Sequence, residues 1–303
     1  MNTGNNVPYN QWKQVIDHPV KRKALIEYLL PLPSTEKVMR YPDGGETLFQ
    51  GYDLTFLDKF IEFCREAGVE SVVLRGDFSD MNQTVTVYEI LQSNLNVLYV
   101  EASNEPFYSP WDDPKGWREI LTKMFNKTAY FKLKANQYAD KVLQLKKVFE
   151  GRGINLRHKY AFACPVPHNH KLRTWYSVLW QRLSGRVMTG AVHLYCSDPQ
   201  DPNWLRDNEE ILISIDFDLI CTEFNGIHFG KHGNTNHADL AFTERHRLLN
   251  NGLLRIFKRL GFNVALQHTM FHTFEDRLFG RLIVKDDGMI YDRMPVEDGW
   301  EHK

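Results

Sequence analysis

Short runs of aliphatic, β-branched and aromatic residues alternate along this chain with longer segments whose apolar positions recur at helical spacing. Between Leu54 and Ala67 the residues Leu54, Leu57, Phe60, Ile61 and Cys64 share one helical face, Gly68 ends the segment, and Glu70-Ser71-Val72-Val73-Leu74-Arg75 follows as a strand. The unit then recurs. Helical stretches near 85–93, 114–149, 171–183 and 204–214, and one ending at Leu260, precede strand-like runs at 96–102, 158–164, 190–195, 218–224 and 263–268. Repeated helix-strand units bury a parallel sheet on both faces, and they predict an α/β fold, a (β/α)8 TIM-type barrel.

Lys37-Val38-Met39-Arg40-Tyr41 adds another strand and brings the count to seven. Ahead of it the pattern predicts one helix from Gln11 to Leu30, stopped by Pro31 and Pro33, and no apolar strand. The first barrel strand is therefore expected to be incomplete or atypical. At the other end, Arg281-Leu282-Ile283-Val284-Lys285 and Met289-Ile290-Tyr291 flank Asp286-Asp287-Gly288, which predicts a closing hairpin over 281–295. No internal repeat or linker divides the chain, so 1–303 reads as a single barrel domain.

In such a barrel the loops that follow the strands build the concave face on which reactive groups gather. The polar residues at those strand ends are Arg40, Arg75 with Asp77, Asn104 with Glu105, His168 and His170, His193 with Tyr195, Glu223, and Gln267 with His268. Two facing carboxylates suit hydrolysis of an acetal, where one group protonates the leaving oxygen and the other attacks or stabilises the sugar cation. A carboxylate beside Arg40 and the Tyr195 hydroxyl would keep a low pKa and serve as nucleophile, whereas one in a drier place would hold its proton and serve as acid. Glu101, four residues before Glu105 on the same strand, lies nearer the strand's start and is the poorer candidate.

Composition narrows the setting. Lys+Arg 37 against Asp+Glu 38 leaves a formal charge of -1, so no global field draws the protein to nucleic acid or an anionic membrane. No apolar run approaches the roughly 18 residues of a membrane span. The first residues lack a charged segment followed by an apolar one, which leads to the expectation of a cytoplasmic protein, or of part of a larger surface or virion assembly. Cys64, Cys164, Cys196 and Cys221 are widely spaced, form no CxxC pair, and read as buried thiols. Trp111, Trp117, Trp175, Trp204 and Tyr108 are candidate platforms for sugar rings, with core or loop packing as the plainer reading.

Three motifs, in barrel order, carry a resemblance. Ala102-Ser103-Asn104-Glu105-Pro106, His193-Leu194-Tyr195 and Thr222-Glu223-Phe224 resemble the Asn-Glu-Pro after strand four, the His-x-Tyr on strand six and the Thr-Glu-Phe/Tyr on strand seven of the retaining glycoside hydrolases of clan A. Arg40-Tyr41-Pro42-Asp43-Gly44-Gly45 is similar, with one inserted Asp, to the Arg-Tyr/Phe-Pro-Gly-Gly of the arabinofuranosidase, β-xylosidase and heparanase-like branches. The segment from Phe279-Gly280 to Gly288 is similar to their closing segment.

The resemblance implies a retaining O-glycoside hydrolase with Glu105 as acid/base, Glu223 as nucleophile and Asn104 as hydrogen-bond partner of the sugar 2-hydroxyl. Arg40, His193 and Tyr195 would support the nucleophile, and Gln267 is taken, from its strand-end position, as a further substrate-binding residue. The expected partner is a carbohydrate; no cofactor and no metal are called for. Two other readings stay open. One is a catalytically silent barrel that binds carbohydrate or builds a virion or surface. The other is a metal-dependent hydrolase using His168, His170, His228, His232, His237 and Asp239, whose spacing matches no metal motif.

Overall fold

Eight parallel strands follow one another in chain order around a closed barrel in the computed structural model of the chain. They are β1 (Asn2–Asn6), β2 (Val38–Tyr41), β3 (Ser71–Gly76), β4 (Asn96–Ala102), β5 (Tyr160–Ala163), β6 (Thr189–Tyr195), β7 (Asp218–Asn225) and β8 (Val264–His268). The helices are α1 (Tyr9–Ile16), α2 (Pro19–Leu29), α3 (Leu54–Glu66), α4 (Met81–Asn94), α5 (Trp117–Phe125), α6 (Lys127–Gly151), α7 (His170–Leu183), α8 (Trp204–Ile213) and α9 (Leu240–Arg259), with a 3-10 turn over Ser34–Glu36. The structure describes residues 1–6, 9–41, 52–108, 113–196, 201–225, 240–268 and 282–292.

The first strand is present, and atypical in composition as the sequence suggested. Asn2–Asn6 is Asn-Thr-Gly-Asn-Asn, with no aliphatic or aromatic residue, yet it pairs with β2 through Gly4, Asn5 and Asn6 and with β8 along its whole length. The strand count is eight rather than seven, and the barrel has its first strand in place. What holds β1 is backbone pairing on both edges, and a hydrophobicity pattern does not register it.

The single helix expected over 11–30 is two, broken at Asp17-His18-Pro19. Pro19 lacks an N–H and sits at the start of α2, and His18 Nδ1 accepts a hydrogen bond from Lys21 N (3.4 Å), so the break carries its own cap. Elsewhere the caps are of the expected kind. Asp53, Asp80, Asn126 and Asn169 each accept backbone N–H bonds at the first turn of α3, α4, α6 and α7. At the end of the described chain, β9 (Leu282–Val284) and β10 (Ile290–Asp292) pair antiparallel around Gly288, whose φ of 87° suits the turn.

Apolar residues fill two zones. Between strands and helices lies a large core that includes Trp12, Phe60, Phe63, Phe149, Trp175 and Phe257. Inside the barrel is a smaller cluster of Val38, Val73, Ala161, Ala191, Ile220, Val264 and Leu266, with Leu98 and Tyr99 packed against it. All four cysteines are free and buried, as their spacing implied.

Candidate active site

The pleat dictates what comes next along each strand. Residues two apart share a face, so the positions two beyond the interior cluster also point into the barrel, nearer its carboxyl end. From Val38, Ala191 and Ile220 this arithmetic leads to Arg40, His193 and Thr222, and from Tyr99 to Glu101. The second layer of the interior is thus polar and charged, and its members are buried: Arg40 is 1%, Glu101 0% and Thr222 0% exposed.

They satisfy one another. Arg40 donates from one guanidinium nitrogen to Glu223 Oε1 (2.7 Å) and from the other to Glu101 Oε2 (2.5 Å) and Asn104 Oδ1 (3.2 Å). Thr222 Oγ1 donates to Glu101 Oε1 at 2.9 Å. His193 Nε2 lies 3.0 Å from Thr222 Oγ1 and 3.3 Å from Glu101 Oε1, and Nδ1 lies 3.0 Å from Glu105 Oε1 and 3.4 Å from Glu223 Oε2. Tyr195, two residues past His193 on the same face, donates its hydroxyl to Glu223 Oε2 at 2.5 Å.

Thr222 and Glu223 are consecutive, and alternation should send one of them out to the helices. The register shows why it does not. Val192 pairs with Cys221 and His193 with Glu223, so Thr222 has no partner on β6. On the other side Cys221 pairs with Ala265 and Phe224 with Gln267, leaving two residues between them on β7 against one on β8. β7 thus carries one extra residue, a bulge that turns both side chains into the site.

Glu105 is placed by different means. It follows β4 in the turn Ser103-Asn104-Glu105-Pro106, where Ser103 (φ 68°) and Glu105 (φ 34°) both adopt positive φ. Side chains other than Gly seldom occupy this region, and its recurrence within three residues marks a turn held by its surroundings. Tyr108 N donates back to Glu105 O (3.0 Å), and His193 Nδ1 holds the carboxylate. Glu105 remains 29% exposed at its side chain, against 7% for Glu223.

The electrostatics follow from this packing. Burial opposes a charge on His193, but the Glu223 charge and the hydrogen bonds to Glu101 and Glu105 prevail, and its pKa is pushed up to about 10. Burial likewise opposes ionisation of Glu101, yet the Arg40 guanidinium and then His193 hold its carboxyl below the ordinary range. Tyr195 is driven up by burial and by the charges of Glu223 and Glu105, so at neutral pH it is a neutral donor. Two cations, Arg40 and the imidazolium of His193, thus face the carboxyl groups of Glu101, Glu105 and Glu223.

Of the residues singled out from the sequence, Arg40, Asn104, Glu105, His193, Tyr195 and Glu223 come together in this one network. Gln267 is buried on β8 but shares the face of Ala265 and Phe224, alternate to that of Leu266 in the barrel interior. It is the expected site residue that the pleat does not turn toward Glu223. Asp77 organises its own turn, accepting from Ser79 N (2.7 Å), and His170 bonds Thr128 at 3.0 Å. Trp175 and Trp204 belong to the core, Trp117 is exposed on α5, and Trp111 and the segment holding His228, His232, His237 and Asp239 lie outside the described residues. Glu101 and Thr222 are the members that the sequence reading did not assign to the site. The signal for Glu101 was a charged residue inside an apolar strand, which demands a partner.

Among the described residues, Glu105, His193 and Glu223 form a group whose potential ligand atoms lie within 4.8 Å of one another. The same atoms are already committed to Arg40, Tyr195 and the His193 proton, and two neighbouring positive charges oppose a bound cation. Beside Glu105 opens a cavity of about 390 Å³ walled by residues of the β4–α5 connection, the end of β5, α7 and β6. No helix among the described residues is long and apolar enough to cross a membrane.

No protein-family model matches the sequence, and no curated protein matches it. Solved structures do. The chain is similar to the β-mannanase of Thermomonospora fusca, solved as a mannotriose complex, at 14% identity and a TM-score of 0.52 over 95% of this chain and 84% of that one. It is similar to a family 51 α-L-arabinofuranosidase from Bifidobacterium longum at 11% identity and a TM-score of 0.56 over 96% and 71%. An exo-β-1,4-mannosidase from Opitutaceae bacterium strain TAV5 matches at 12% identity and a TM-score of 0.55, over 97% of this chain and 57% of that one. At these identities what is shared is the fold, a barrel on which glycoside hydrolases are built, as the sequence motifs implied.

Proposed function

We propose that the protein is an O-glycoside hydrolase that works with retention of configuration, with Glu223 as nucleophile and Glu105 as acid/base. The observation that carries this reading is the approach of the two carboxylates, whose nearest oxygens come within 4.8 Å. Retaining enzymes need about 5–5.5 Å between the carboxyl groups, so that one can attack the anomeric carbon directly, whereas inverting ones leave about 6.5–9.5 Å for an intervening water.

Their unequal surroundings divide the roles, though not by dryness as the sequence suggested, since Glu105 is the more exposed of the two. Glu223 is buried and accepts on both oxygens, from Arg40 and Tyr195, which aims it. Glu105 stands at the edge of the cavity, where a leaving group can reach it. In the first step Glu105 gives its proton to the glycosidic oxygen while the Glu223 carboxylate bonds to the anomeric carbon. The alcohol leaves and the sugar stays as an ester of Glu223. In the second, Glu105 takes a proton from water, the resulting oxygen bonds to the anomeric carbon, and the ester breaks to return the Glu223 carboxylate. Asn104, with its Oδ1 accepting from Arg40, has its amide N–H groups left to donate to a sugar hydroxyl.

The test is a panel of aryl pentosides, hexosides and uronides assayed with wild type, Glu105→Ala and Glu223→Ala. Glu223→Ala should lose roughly three orders of magnitude or more in turnover, and azide should restore it as the glycosyl azide of inverted configuration. Absence of turnover on every glycone would instead favour a silent, carbohydrate-binding barrel.

A further inference from the structure

Helix α5 is turned inside out. At the helical angle per residue, Trp117, Ile120, Leu121, Met124 and Phe125 fall within an arc of about 140°, with Glu119 on the opposite side. A helix of this pattern ordinarily lays its apolar arc on the core. Here the polar side makes the attachment to α6. Glu119 meets Lys134 Nζ at 3.1 Å and accepts from Gln137 Nε2 at 3.2 Å, Lys134 is itself buried, and Lys123 Nζ lies 5.2 Å from the centroid of the Tyr130 ring. The apolar arc therefore faces outward. Phe125 is 82%, Met124 68% and Trp117 66% exposed, and none of the nine residues of the helix is buried.

A contiguous apolar face of this kind marks a surface that another body covers. Its borders indicate which. Arg118 stands beside Phe125 at one edge of the arc, Lys123 beside Ile120 at the other, and Lys115 and Lys127 precede and follow the helix. The formal charge of -1 on the whole chain conceals this local excess: from Asp113 to Lys134 there are six Lys and Arg against two acids, one of which, Glu119, is turned toward α6. Large apolar side chains edged by cations suit a helix lying in the headgroup plane of an anionic membrane. The apolar residues enter the acyl boundary, and the Lys and Arg stems reach back to the phosphates. A second copy packed on the same face would set cationic edges against each other, and an oligosaccharide would gain little from Ile120, Leu121 and Met124.

We infer that α5 docks the protein on an anionic lipid surface, lying in the interface without crossing it. The inference rests on neither of the two carboxylates and so stands apart from the glycosidase reading. It does fix an orientation. The chain enters α5 from the carboxyl end of β4, and α5 packs on the first turns of α6, whose Thr128 meets His170 at the start of α7. The helix thus flanks the same end of the barrel as Glu105, and docking sets the candidate active site beside the membrane.

The test is co-sedimentation of the whole chain with vesicles of phosphatidylcholine alone and of phosphatidylcholine mixed with phosphatidylserine. Wild type should partition at least ten-fold more strongly onto the mixed vesicles, and the difference should shrink as salt is raised. Phe125→Ser, which removes the most exposed ring and no charge, should weaken binding about ten-fold; Arg118→Gln with Lys123→Gln should weaken it on mixed vesicles while leaving the neutral ones unchanged. All three positions are at least partly exposed, so the thermal midpoint should stay at the wild-type value and separate lost docking from lost folding. Equal partition onto both vesicles, or binding indifferent to Phe125→Ser, would overturn the inference. A chain that ignores both vesicles but is a dimer that Phe125→Ser dissociates, read by sedimentation velocity, would assign the face to a second copy instead.

Discussion

Two residues apart on the same strands, the barrel interior holds two layers of opposite chemistry. The lower one, Val38, Val73, Ala191 and Ile220 among others, is apolar, packs by shape and needs no partner to be stable there. The upper one holds Arg40, Glu101, His193, Thr222 and Glu223 at similar burial, and every charge in it is tolerable only because another faces it. Apolar side chains contribute to stability one by one, whereas a buried charged network stands or falls as a unit.

Removing one member of each layer exposes this difference. Arg40→Met should be the most damaging change, because it leaves Glu101 and Glu223 buried with His193 as the one cation they still share among the described residues. A loss of about 3–5 kcal/mol is expected, seen as a lowered denaturation midpoint. Arg40→Lys should recover only part of it, since one ammonium cannot reproduce the fork that reaches Glu223, Glu101 and Asn104.

The pH dependence sharpens the contrast next. His193 titrates near 10 in the folded protein against an ordinary 6.5, so the stability it contributes is complete below about pH 6.5 and is lost as pH rises toward 10. Glu101, whose carboxyl is depressed, contributes stability that is present above its ordinary value of 4.5 and lost as pH falls below it. The protein should therefore be most stable between about pH 4.5 and 6.5. Glu101→Gln should flatten both flanks and lower the His193 pKa, read from the imidazole nitrogens by NMR; an unchanged His193 titration would refute the coupling. The smallest effect belongs to the lower layer. Ile220→Val should cost about 1 kcal/mol, leave the pH profile unmoved and spare any glycosidase activity.

Much of this was legible beforehand, but unevenly. Seven strands, the order of the helices and the motifs around Glu105, His193 and Glu223 followed from alternation and residue type. β1 was not legible, because Asn-Thr-Gly-Asn-Asn has no apolar signature and becomes a strand only when β2 and β8 offer it free edges. Gln267 was expected to bind substrate because it ends a strand, but whether a strand-end residue faces in or out depends on the pleat phase, which Leu266 fixes from inside the barrel.

Local chemistry in the chain therefore determined seven of the eight barrel strands and most of the helices, and which side chains with acid, base or cation character stand at strand ends. The tertiary structure decided how those side chains meet. The extra residue in β7 brings Thr222 and Glu223 to one side, and barrel closure sets Arg40 between two carboxylates from distant strands. Periodicity is a property of neighbours along the chain, whereas register, bulges and the pairing of buried charges arise only between segments that the sequence holds far apart.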